Sequence, residues 1–111
     1  MDLVIKNFDN DITVIKPVVS PERNVESIIA KAKMAILENR SKHTVLDLTD
    51  VNFLDCIKIG TIIGTYHFLE FSARKIHILV NNLEIKKAME RLSFNNIEIY
   101  SDNKFALESI A

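Results

Sequence analysis

The chain has 111 residues, 48% of them hydrophobic and 26% charged, with a formal net charge of −1 at pH 7. That length and composition fit a single domain spanning residues 1–111, able to bury a core without disulfides or a metal. Near-neutral charge, with no long basic cluster, argues against nucleic acid as a partner. Lys58, His67, Glu70 and Arg74 interrupt the most apolar stretch, so direct membrane insertion is not expected either. One cysteine, Cys56, excludes an internal disulfide and suits a reducing compartment. Met1-Asp2-Leu3-Val4 lacks the basic-then-apolar pattern of a leader, so the cytoplasm is the expected location.

Residues 3–8 read as a first strand, and Asp9-Asn10-Asp11 as a turn. Ile12 to Lys16 alternates and returns as the second strand of a hairpin. Pro17 and Pro21 bracket a loop. Asn24, or Ser20 before it, can cap a helix that carries Val25, Ile28, Ile29, Ala32, Ala35 and Ile36 at helical spacing. Thr44 to Leu48 is a short apolar run rich in β-formers and reads as a buried strand. Phe53-Leu54 would bring the chain back to the core, and Asp55 would cap a helix from Cys56 to Ala73. On that helix Ile59, Ile62, Ile63, Tyr66 and Leu69 form one apolar face. Ile57, Gly60, Gly64, Phe68 and Phe71 form a second, so the helix is either central to a core or offers a face to a partner. Two glycines one turn apart, each costing about 1 kcal/mol of helix propensity, imply that something packs against the backbone there.

Lys75 to Val80 reads as the next strand, followed by an Asn81-Asn82 turn and a short helix from Leu83 to Leu92. Ile97 to Tyr100 is a last strand, and Asp102 caps a last helix with Phe105, Ala106, Leu107 and Ile110. The order β-β-α-β-α-β-α-β-α predicts an α/β fold: a small mixed sheet, parallel except for one hairpin edge, with helices packed on it.

Asp55-Cys56-Ile57-Lys58-Ile59-Gly60, following a strand and an Asp-containing turn, resembles the signature of the STAS domain family of anti-sigma factor antagonists. There the helix opens with Asp-Ser-Ser-Gly-Leu-Gly. Asp55, Ile59 and Gly60 match the Asp, the Leu and the last Gly. Cys56 stands at the phosphorylatable serine, Ile57 replaces the second serine and Lys58 replaces the first glycine. The resemblance covers nearly the whole chain and implies the same β-β-α-β-α-β-α-β-α STAS-like architecture. It also implies that the phosphorylation switch does not operate at Cys56, because a thiol is not an ordinary kinase acceptor. Control would then be lost, or moved to a nearby hydroxyl such as Thr49 or Thr61.

No motif for phosphate cradling, dinucleotide binding or nucleophilic hydrolysis is present, and no Cys/His pair has metal-ligand spacing. His43, His67 and His77 read as structural: His43 exposed at a strand start, His67 one residue off the main apolar stripe, and His77 facing away from its flanking isoleucines. Cys56 at a helix N-terminus could be nucleophilic, but no resolving cysteine or adjacent base accompanies it. Asp50 and Asp55 read as a turn residue and a cap rather than a carboxylate pair. The chain is therefore expected to be no enzyme and to use no cofactor.

The resemblance implies a bacterial protein–protein interaction module that binds an anti-sigma factor or serine-kinase-like regulator and so controls transcription. The implied surface is Asp50 and Asn52 in the loop, Asp55, Cys56, Ile57, Lys58 and Gly60 at the helix start, and Thr61 and Gly64 beyond. The alternative is a structural STAS subunit of a larger lipid-transport or signalling assembly. Self-association as a homodimer is open under both.

Overall fold

The protein is described here from a computed structural model that covers residues 3–8, 12–18, 24–38, 43–71, 74–91 and 97–101. Eight elements follow in the expected order: β1 (Leu3–Phe8), β2 (Ile12–Pro17), α1 (Val25–Glu38), β3 (His43–Asp47), α2 (Phe53–Glu70), β4 (Lys75–Leu79), α3 (Leu83–Glu90) and β5 (Ile97–Tyr100). The expected closing helix with Asp102 as its cap lies outside the described residues, as do Ser20, Ser72, Ala73 and Leu92.

The sheet runs β1-β2-β3-β4-β5. β1 pairs antiparallel with β2, and the remaining pairs are parallel. This is the mixed sheet with one hairpin edge that the element order requires. A parallel neighbour can be reached only by a crossover, and each of the three crossovers is a helix.

Leu3, Ile15, Leu46, Ile76, Ile78 and Ile99 join Ile28, Ile29, Ala32, Ile36, Ile59, Ile63, Ile85 and Met89 of the helices in the main core. Within the helix layer α2 contacts both α1 and α3, which makes it the central helix. Strand alternation sends the other residues to the opposite face of the sheet. There Val45 and Leu79 form a second buried cluster with Ile12, Val14 and Tyr100. Strands β3 and β4 are thus buried on both faces, as parallel strands usually are.

The helix ends are fixed by asparagines. Asn24 Oδ1 accepts from the Ser27 amide at 3.2 Å, and Asn82 Oδ1 accepts from the Ile85 amide at 2.9 Å. α2 departs from expectation. Its cap is Asn52, whose Oδ1 accepts from the Asp55 amide at 2.9 Å, while Asn52 Nδ2 donates to Asp55 Oδ2 at 3.1 Å. Asp55 is therefore the third helical residue, not the cap. Two residues can form a reciprocal pair across the first turn, and Asn52 with Asp55 outcompetes Asp55 alone. The helix gains Phe53 and Leu54, and these do not return to the core: they are 45% and 77% exposed.

Candidate functional site

α2 carries two unlike surfaces. Its buried stripe is Cys56, Ile59, Gly60, Ile63, Gly64 and His67, at the i, i+3, i+4, i+7 spacing of one helix face. Ile59 and Ile63 were expected there. Leu69 was also expected and is instead 73% exposed, while Ile62 and Tyr66 are partly buried at the edge. The true core line passes through two glycines and a histidine, which a hydrophobicity reading discounts.

The glycines have an internal reason. The methyl end of Met89 in α3 fills the space that a Cβ on Gly60 would take. Ile97 Cδ1 of β5 would lie 2.7 Å from a Cβ on Gly64. Close packing against the helix backbone is present, and it comes from within the chain. Gly60 and Gly64 are buried, so neither offers a surface to a partner, contrary to expectation.

Cys56 is also removed from the expected contact surface. It has no exposed area. Its Sγ lies 3.4 Å from the carbonyl oxygens of both Leu48 and Val51. The thiol tethers the loop between β3 and α2 to the helix, as a buried cysteine with a weak S–H donor does. A buried thiol is also poorly placed for nucleophilic chemistry.

The remaining expected residues gather where the β3–α2 loop meets the first turn of α2. Asp50 is exposed and ion-paired with Lys16 at 3.0 Å. That contact leads the causes that raise the Lys16 pKa above its ordinary value. Asp47 accepts from the Thr49 amide at 3.0 Å and from Thr49 Oγ1 at 2.6 Å, which shapes the turn. Asn52 is exposed and Asp55 partly so. Ile57 is partly buried, and Lys58 is exposed and paired with Glu26 of α1. Phe53 and Leu54 stand beside them, exposed rather than turned into the core as their hydrophobicity suggests. Leu83, at the start of α3 and at the same end of the sheet, is 52% exposed. The C-terminal edge of a parallel sheet is where open α/β folds place their ligands.

Thr61 is one turn further on. It is partly buried and lines, with Lys33, Ile62, Thr65, Tyr66 and Leu69, a shallow depression of about 340 Å³ between α1 and α2. Thr65 Oγ1 donates to its carbonyl at 2.8 Å. Tyr66 Oη is inaccessible and has no hydrogen-bond partner among the described residues. Burial, with Glu70 adding to it, raises its pKa.

The three histidines are less exposed than expected. His67 is buried against Phe71, with ring centroids 5.5 Å apart, and its pKa falls to about 4, first from burial and then from Arg74 and His77. His77 does face away from Ile76 and Ile78, into the second cluster's side of the sheet. Its pKa also falls to about 4, again chiefly from burial. His43 is not free at its strand end: its Nδ1 is 3.3 Å from His77 Nε2.

Among the described residues no helix is long and apolar enough to cross a membrane. Likewise, no group of three or more His, Cys, Asp or Glu side chains is placed to hold a metal ion. A search of curated proteins gives no match. The family model of the STAS domain matches residues 21–106. That span holds all three crossover helices and the strand–loop–helix unit around Asn52, and it agrees with the five-stranded mixed sheet. An anti-sigma factor antagonist-like or sulfate transporter-associated module is thereby indicated, and the chain belongs to the STAS domain family.

Proposed function

We propose that the protein is a non-enzymatic, cytoplasmic interaction module of the anti-sigma factor antagonist kind. It binds an anti-sigma factor or related serine-kinase-like regulator and thereby controls transcription. The observation that carries this reading is the exposed apolar first turn of α2, Phe53 and Leu54, next to the loop that holds Asp50 and Asn52. Apolar anchors rimmed by polar groups are the usual make-up of a docking patch. Ile57 and Lys58 extend it. Asp55 acts beneath it, holding the loop through Asn52.

With a buried thiol where relatives carry the phosphorylated serine, a phosphate cannot be placed on the surface at residue 56. Docking is then not subject to the charge that a phosphate there would bring. A switch moved to Thr49 has little support, because that hydroxyl is half-buried and committed to Asp47.

Leu54→Asp and Lys58→Glu test the docking patch. An acidic residue in the first turn suits the helix dipole, so Leu54→Asp disturbs the patch without opposing the fold. The protein is captured with its partners from its native lysate, with and without ATP. Recovery of an ATP-binding kinase-like protein, lost in both variants, is the expected result. Unchanged recovery by both variants sinks the proposed surface.

A second reading, a permanent structural subunit of a larger assembly, is favoured by one feature. Leu69 of α2, which lines the α1–α2 depression, is an exposed apolar residue, and Met34 and Leu37 of α1 are exposed as well. Stoichiometric, salt-resistant, ATP-insensitive recovery of assembly subunits would favour it over the first.

A further inference from the structure

On the sheet face opposite the helices, five polar side chains from three strands form one directional chain. Lys75 Nζ donates to Glu98 Oε1 at 2.7 Å. Tyr100 Oη donates to Glu98 Oε2 at 2.6 Å. The phenol proton is thereby committed, so at 3.2 Å from His77 Nδ1 the Tyr100 oxygen can only accept. His77 is therefore the Nδ1–H tautomer, and its Nε2 is a lone pair. That lone pair faces His43 Nδ1 at 3.3 Å.

A histidine whose one ring N–H is anchored to a carboxylate-backed acceptor, leaving the other nitrogen as a directed lone pair, is the usual arrangement of a metal ligand and its outer support. The gap to the second imidazole fits as well. A Zn²⁺ ion at about 2.0–2.1 Å from each nitrogen would subtend about 107° across it, close to the tetrahedral angle. The charges around the pair do not oppose a cation, because Lys75 is neutralised by Glu98. His77 is buried, while His43 is partly exposed and forms the open side.

We propose that His77 Nε2 and His43 Nδ1 form a two-histidine site for a borderline divalent metal ion such as Zn²⁺. On binding, the His43 proton moves from Nδ1 to Nε2 through solvent, and both ligands remain neutral imidazoles. Water fills the remaining positions, since no third ligating side chain is grouped with the pair among the described residues. The ligands are far apart in sequence and meet only because β3 and β4 pair with Val45 opposite His77.

Zn²⁺ titration of the untagged full chain tests this, read by histidine ring ¹⁵N shifts and by Tm. Saturable binding below about 1 mM, with shifts at His77 Nε2 and His43 Nδ1 and a rise in Tm, is expected. His43→Gln, at the partly exposed end, should abolish both readouts. Tyr100→Phe keeps both ligands but removes the acceptor that orients His77, and should weaken binding roughly tenfold. His67→Gln should bind as the parent does. Binding that survives His43→Gln, or no saturable binding in the parent, overturns the site.

Discussion

The inner and outer surfaces of α2 are built on opposite terms. The inner stripe is filled by the chain itself: Met89 over Gly60, Ile97 over Gly64, and the Cys56 thiol against two loop carbonyls. The outer first turn holds large apolar side chains, Phe53 and Leu54, that the described chain leaves exposed. The residues of the Asp55–Gly60 motif fall on both sides of this divide. Residue 56 faces inward, and residues 57 and 58 face the rim and solvent. The lesson is that a motif can be kept for the loop-to-helix geometry it sets while its surface chemistry changes.

Substitutions can break this contrast, and the inner stripe should give the largest effects. Ile63→Ala removes a fully buried side chain from the centre of the core and should cost about 4 kcal/mol in urea unfolding. Gly64→Val drives a branched side chain into the stiff Ile97 of β5 and should cost about 2 kcal/mol. A loss below about 1 kcal/mol in either case would mean that the stripe is loosely packed.

Acid should weaken the same face. His67 has a folded pKa of about 4 against an ordinary histidine value of 6.5. The unfolded chain therefore takes up the proton first. Above the unfolded pKa the group contributes no pH dependence. As pH falls from about 6.5 towards about 4, stability drops by roughly 3 kcal/mol for this histidine. His77 has the same direction and window on the other side of the sheet. Unfolding free energy measured at pH 7 and pH 4.5 should show the drop, and a flat profile would place both rings in water.

The boundary between the two surfaces is the cap. Asn52→Ala should cost about 1 kcal/mol and loosen the loop that presents Asp50. The smallest effect belongs to the outer turn, where Leu54→Ser should change stability by no more than about 0.5 kcal/mol. A larger loss would mean that Leu54 is packed and not available to a partner.

Much of the fold was legible because strand and helix periods differ. The order of elements, the Asn24 cap, β5 at Ile97 to Tyr100 and the hairpin edge all follow from local pattern. The first turn of α2 was not. Asp55 is an acceptable cap taken alone, and only the loop geometry shows that Asn52 reaches the Asp55 amide. Phe53 and Leu54 read as core because a hydrophobicity pattern cannot tell a buried apolar residue from a displayed one. An Asn-x-x-Asp spacing ahead of an apolar run was the signal that could have found the earlier start.

By itself the sequence determined the alternation of strands and helices and the family, since these depend on residue identity and local period. Tertiary structure decided which side of α2 is core. Burial there is set by what α3 and β5 place against the backbone, so two glycines and a histidine can be interior while Leu69 is exposed. It also decided that His43 and His77 meet, because register between parallel strands is fixed by the packing of the whole sheet and not by either strand alone.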